Sequence, residues 1–192
     1  MPRPIPPVVP IGRMRDGEQP ILDPSPAIRL RPWSDSDADA LVDAFHDPDI
    51  RHWHMRELAS RDEASEWIES WAVRWNAETD AGWAVVYAGT GELRGQVALR
   101  SVNLEFGHGH ITYWTLPPFR GAGTAKIAAA AVARWALEDL GLHRLEIHHS
   151  TQNAASCRVA ERAGFELEGV VRSALLHEDG WHDMHVHARV RD

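Results

Sequence analysis

Only one cysteine, Cys157, stands among the 192 residues, so no internal disulfide can form and a reducing, cytoplasmic setting is expected. No run approaches the roughly 20 apolar residues that a membrane helix needs, so no membrane partner is expected. Prolines and charges break the N-terminus, which lacks the apolar stretch of a secretory signal. A basic excess is missing as well. The 28 Asp and Glu residues outweigh 20 Lys and Arg, for a net charge of −8 and a pI near 5.8. Nucleic-acid binding relies on clustered cationic surface, so nucleic acid is not an expected partner. Internal repeats are also lacking. With 44% apolar residues, the length suits one domain with a sizeable core and falls short of two.

What is present is unevenly spread. Residues 1–27 hold 8 of the 12 prolines. Pro2, Pro4, Pro6, Pro7 and Pro10 disfavour a helix and predict an extended arm, either loose or packed on the domain or on a second copy in a homodimer. The domain proper is expected over 28–192. Ile28 to Arg31 alternates like a strand, and Ser34 and Asp35 offer N-cap chemistry for a helix through Phe45. Ser60 with Glu63 reads as a capping box opening a second helix. Further strands are predicted from Gly82, Leu93, His110, His143, Phe165 and Trp181, with helices over Thr124–Leu140 and Asn153–Ala163. Hairpins mixed with helical crossovers predict an α/β (α+β) fold: a mixed, mostly antiparallel sheet of about seven strands with helices on both faces.

Between a strand and a helix lies Arg120-Gly121-Ala122-Gly123-Thr124. Two glycines one residue apart permit a tight turn, and the free N–H groups of the helix behind them can hold a phosphate or pyrophosphate. Arg120 can add a charge-assisted contact. The same pattern also serves as a plain turn. It is neither a Walker loop, since no Gly-Lys-Ser/Thr follows, nor a dinucleotide fingerprint, since the third glycine is missing.

The stretch Ile111-Thr112-Tyr113-Trp114-Thr115-Leu116-Pro117-Pro118-Phe119-Arg120-Gly121-Ala122-Gly123-Thr124-Ala125 resembles the acyl-CoA signature of the GNAT acetyltransferases. Downstream, Asn153-Ala154-Ala155-Ser156-Cys157-Arg158-Val159-Ala160-Glu161-Arg162-Ala163-Gly164-Phe165 looks like the second signature, in the pattern of the ribosomal-protein N-terminal acetyltransferase (RimJ/RimL-like) branch. The resemblance covers residues 28–190. It implies the GNAT fold, acetyl-CoA as acyl donor, and direct attack by a primary amine on a protein N-terminus or a small molecule. A non-catalytic acyl-CoA-binding domain with a sensing or structural role is the competing reading, because a fold with its ligand site does not guarantee chemistry.

The resemblance also implies roles for single residues. The backbone of Arg120, Gly121, Ala122, Gly123 and Thr124 would cradle the CoA pyrophosphate, with Phe119 and Arg158 counted in the same site. Pro118 replaces the usual Gln or Arg. Asn153 matches the asparagine that binds the pantetheine arm, and asparagine is equally a helix N-cap. Ala160 occupies the place of the tyrosine that many relatives use as acid. That leaves Ser156 as the matching hydroxyl to protonate the departing thiolate, or else as a helix-surface hydroxyl. His110 stands where many relatives carry a glutamate and is the candidate base, or else a packed strand residue; Glu105 and His149 are weaker candidates. His52, Trp53 and His54 lie in the segment that lines the acceptor side in this family. Cys157 is expected to be an incidental thiol.

Two residue types are over-used, with 9 tryptophans and 12 histidines. Trp67, Trp71 and Trp75 share one helix face, as core or as a substrate box. His108 with His110, and His185 with His187, each share a strand face, while His148-His149 end another. No ligand pattern is visible along the chain, so no metal is expected.

Overall fold

The computed structural model describes residues 5–191. The strands are β1 (Leu22–Ser25), β2 (Ile28–Pro32), β3 (Ala81–Tyr87), β4 (Leu93–Asn103), β5 (His108–Thr115), β6 (Arg144–Ser150), β7 (Glu166–His177) and β8 (Gly180–Val190). The helices are α1 (Ala38–Phe45), α2 (Pro48–His54), α3 (Arg61–Asn76), α4 (Thr124–Arg134), continued by wider π turns over Trp135–Leu140, and α5 (Ala154–Arg162). One sheet runs in the order β1-β2-β3-β4-β5-β6-β8-β7. Every pairing is antiparallel except β5 with β6.

The expected mixed sheet with helices on both faces is therefore present, with two elements more than the expectation. The eighth strand, β1, lies in the proline-rich segment read as an arm. Pro24 sits in it, and an edge strand can dispense with the missing N–H on its outer side. The extra helix, α2, starts from Asp47, whose side chain accepts the Ile50 N–H, and carries Pro48 in its first turn.

The arm is not extended throughout. Residues 11–16 form turns, and Val9 and Met14 are buried in the core. The Val8 and Val9 N–H groups donate to the carbonyls of Glu105 and Leu104. Buried Glu78 accepts from the N–H groups of Gly12 and Met14, each at 2.8 Å. Pro2 and Pro4 lie outside the described residues.

The central strands are covered on both faces, so their residues are buried nearly without break. On β3, Trp83 and Val85 face the core beneath α4 and α5, while Ala84 and Val86 face α1 and α3. Trp67, Trp71 and Trp75 are all core residues, which settles the stripe in favour of packing.

One feature of the sheet positions the site. β5 and β6 pair only at His108↔Arg144, Gly109↔Leu145 and His110↔Glu146. Beyond that point β5 stays bonded to β4 as far as Thr115 but leaves β6. The two strands splay, and α5, which follows β6, lies at the mouth of the gap.

Candidate active site

The loop after β5 makes one 3₁₀ turn over Pro117–Phe119 and then passes Gly121 at φ 78° and Gly123 at φ 82°. Both values lie in the left-handed region that glycine adopts without strain. A Cβ on either residue would meet nothing within 4 Å, so both backbones face open space. No side chain caps the start of α4, which leaves its first N–H groups and positive dipole end available. A cavity of about 310 Å³ opens there, lined by Phe119, Gly121, Gly123 and Thr124 of the loop, and by Asn153 and Ser156 from α5 and its cap. Arg120, Lys126, Arg158 and Arg162 also border it, and among the described residues Asp49 is its only acid. Ala122 does not line it. The loop can therefore hold a pyrophosphate through backbone and dipole, with cations nearby.

Arg120 departs from its expected role. Its guanidinium bonds Asp47 at 2.5 Å and Asp49 at 2.8 Å, both at the start of α2. The fork is thus engaged by carboxylates, and it ties the loop to α2.

A second cavity, of about 370 Å³, lies on the other side of the gap. His110, His148, His149, His177 and Arg100 are among its lining residues. The two cavities share Trp53, His54, Tyr113, Asn153 and Ser156. These five side chains form the wall where a group held in one cavity meets a group held in the other.

At that wall, the Tyr113 hydroxyl lies 3.0 Å from both the Ser156 carbonyl oxygen and the Ser156 Oγ. Burial pushes the Tyr113 phenol up to about 12, against the bond to Ser156, so it keeps its proton at working pH. Asn153 caps α5, its Oδ1 accepting the Ser156 N–H at 2.9 Å. Among the described residues its amide nitrogen has no partner, which leaves a donor for a ligand. Burial, aided by the charge of Arg100 and opposed by a bond to the Tyr113 carbonyl, brings the His54 imidazole down to about 4. Neutral His54 therefore donates from Nε2 to that carbonyl, at 3.2 Å.

His110 sits on the second cavity beside Glu146 and His148. Its Nε2 is 3.8 Å from Glu146, and its ring centroid is 4.8 Å from that of His148. Burial, then His148, outweigh Glu146 and hold His110 below the ordinary histidine value, so it is neutral and able to accept a proton near pH 7. His52 lines neither cavity. Its ring packs on Trp53 and His177, and its carbonyl meets His177 Nδ1 at 3.2 Å, which fastens α2 to the β7–β8 hairpin. The residue that sequence reasoning left without a role is Tyr113. Alternation along β5 puts it on the face of Ile111, beneath α5, and a buried tyrosine hydroxyl there needs a partner.

Residues 27–166 match the family described as the acetyltransferase (GNAT) domain. YoaA of Bacillus subtilis (strain 168), named as an uncharacterized N-acetyltransferase, is 26% identical over 173 residues, 90% of this chain and 97% of the relative. Among solved structures, the acetyl transferase from Salmonella typhimurium that modifies the N-terminal serine of ribosomal protein L7/L12 matches with a TM-score of 0.80, at 21% identity over 90% of this chain and 100% of that one. The microcin C7 self-immunity acetyltransferase MccE, solved with acetyl-CoA and AMP, matches with a TM-score of 0.77, at 20% identity over 88% of this chain and 95% of that one. At these identities the structural matches establish the fold.

Proposed function

This chain belongs to the acetyltransferase (GNAT) family, and on that premise we propose that it moves an acetyl group from acetyl-CoA to an amine of low pKa, by direct attack. The preferred acceptor is the α-amine of a protein N-terminus or a small amine of similar basicity. The observation that carries this reading is the meeting of two cavities at the Tyr113–Ser156 pair, one cavity with an open glycine loop before a helix start and the other with His110, held below the ordinary histidine value by burial.

CoA would place its pyrophosphate on the backbone of residues 120–124, with Arg158 nearby. The pantetheine arm would run into the gap between β5 and β6, past the free amide nitrogen of Asn153. The thioester would then reach the shared wall, and the amine would approach from the second cavity. His110 takes the proton of the attacking amine, and Ser156 supplies one to the departing thiolate.

The basicity of the acceptor follows from His110. An α-amine, with a pKa of about 7.7–8.0, is roughly a tenth neutral at pH 7, whereas a lysine side chain near 10.4 is neutral in well under one molecule in a thousand. A histidine of depressed pKa is a weak base and suits the first. Resemblance to an enzyme that modifies an N-terminal serine supports the same choice.

Two measurements test the reading. CoA or acetyl-CoA should raise the melting temperature, and Gly123→Trp should abolish that shift by filling the cradle. A shift with ATP or NAD and none with CoA overturns the cofactor assignment. A peptide with one free α-amine and one lysine should then be acetylated at the α-amine, located by mass spectrometry. Exclusive lysine acetylation at pH 7 refutes the acceptor assignment alone.

A further inference from the structure

The sequence shows no metal-ligand spacing, yet the fold gathers four donors beside the second cavity, which one of them, His149, lines. His149 comes from the end of β6, His185 and His187 from β8, and Cys157 from the first turns of α5. Their donor atoms all lie within 4.8 Å of one another. His149 Nε2 is 3.2 Å from His187 Nε2, and Cys157 Sγ is 3.9 Å from His187 Nε2. His187 is fully buried and His149 nearly so.

The hydrogen bonds behind these rings decide what they can hold. His149 Nδ1 meets the Ser150 carbonyl at 2.8 Å, and His187 Nδ1 faces the Phe165 carbonyl at 3.4 Å. A carbonyl oxygen only accepts, so His149 carries its hydrogen on Nδ1 and turns the lone pair of Nε2 toward His187. That lone pair can meet a hydrogen on His187 Nε2 or a metal ion set between the two rings, which stand 3.2 Å apart. His185 adds a buried Nδ1 with no partner. Cys157 has only Glu161, 3.7 Å away, and His187 beside it. An Nδ1–H bonded to a carbonyl is also the arrangement that orients a metal-bound histidine.

We propose that His149, His185, His187 and Cys157 form a tetrahedral zinc site that staples α5 to β6 and β8. Three imidazoles and one thiolate suit Zn(II) in charge, softness and geometry. With Zn–N near 2.0–2.1 Å, tetrahedral donors stand about 3.3 Å apart. The observed 3.2 Å between His149 and His187 already fits, and the other donors need to draw in by an ångström or so. Binding replaces the thiol proton with the metal, so one proton is released for each zinc taken up. All four positions are filled by the protein, which makes the site structural and places no metal on the substrate. The inference stands on these side chains alone and is independent of the acetyl-transfer reading.

The test uses the full chain without a histidine tag, purified without chelator. Elemental analysis should find close to one zinc per chain. After chelation, Co(II) should give the thiolate-to-metal charge-transfer band and the intense visible bands of a tetrahedral site. Cys157→Ser should abolish the charge-transfer band, and His187→Gln should weaken zinc binding by roughly 10–100-fold or more, given that even outer partners of ligands are worth that much. His148→Gln, in the separate group of His110, Glu146 and His148, should leave cobalt spectra and zinc content unchanged. Zinc far below one per chain with no tetrahedral cobalt spectrum overturns the site. So does full zinc uptake by the Cys157→Ser/His187→Gln double variant.

Discussion

Ser156→Ala is the perturbation with the sharpest consequence. The phenol of Tyr113 has one hydrogen and two acceptors within reach, the Ser156 carbonyl and the Ser156 Oγ, each at 3.0 Å. When that hydrogen points at Oγ, the serine hydrogen is free for the thiolate, and the phenol polarises the oxygen behind it. Loss of such an acid costs about 10²–10⁴-fold in turnover, or about 3–5 kcal/mol at 1.36 kcal/mol per decade. Tyr113→Phe removes only the supporting bond, worth about 1 kcal/mol, and should slow turnover about 5-fold. Because Tyr113 acts through Ser156, the double variant should be no slower than Ser156→Ala. The alanine keeps the backbone N–H that Asn153 accepts, so the cap of α5 survives and CoA affinity should hold. The assay is single-turnover release of free thiol at saturating amine. An acetyl thioester with a more acidic thiol should restore Ser156→Ala, since a better leaving group needs no proton. A Ser156→Ala rate within threefold of the parent, or fully additive effects in the double variant, would refute the assignment.

Three further outcomes follow from the same geometry. His110→Ala should move the rate optimum to higher pH, where more of the amine is already neutral; a profile of kcat/KM from pH 6 to 9 that matches the parent's would return His110 to a packing role. Arg120→Gln should leave CoA affinity nearly intact and raise the acceptor KM up to about 5-fold, because its exposed bonds to Asp47 and Asp49 hold α2 and are worth about 1 kcal/mol at most; a tenfold loss of CoA affinity with an unmoved acceptor KM would place the guanidinium on the pyrophosphate instead. Glu78→Gln should cost about 2 kcal/mol at neutral pH, as the buried carboxylate loses its charge-assisted bonds to Gly12 and Met14. Burial acts to raise Glu78, but those N–H bonds prevail and hold it below its ordinary 4.5, so its contribution is present above that value and lost as pH falls through the lower folded one. Melting curves of parent and variant should therefore converge in acid, and a constant gap down to pH 3 would contradict this.

The parts of the site that lie close together along the chain were legible in the sequence. The loop from Arg120 to Thr124 announces itself by two glycines before an alanine-rich helix, and Asn153 by its place ahead of α5. Strand and helix periods sufficed for most of the sheet because the tertiary packing agrees with them. β1 escaped because proline content argues against a strand, and only its edge position lifts the objection. α2 could have been found, since Asp47-Pro48 is a cap followed by a first-turn proline. The splay of β5 from β6 has no local signature. It is set by where pairing stops, and it alone brings Tyr113 to Ser156 across 43 residues. The histidines escaped for the same reason. His149 and His187 are 38 residues apart, and the β6–β8 register brings them together.

The short α5 explains why these polar contacts matter together. It has nine residues, too few to be stable alone, and Ala160 is its only buried residue. Apolar packing therefore anchors its end, where Ala160 and Ala163 meet Phe165, and leaves the start to other forces. Yet the start carries Asn153 and Ser156, which must hold position to a fraction of an ångström for a proton to pass. Three polar attachments supply the rigidity that burial does not. The Asn153 cap fixes the first turn, the Tyr113 hydroxyl grips both oxygens of Ser156, and on the next residue Cys157 would, in the proposed zinc site, tie the helix to β6 and β8. Adjacent residues on one helix thus face opposite ways: Ser156 toward the two cavities, where the proposed reaction would place the thioester, and Cys157 toward the histidines of the proposed staple.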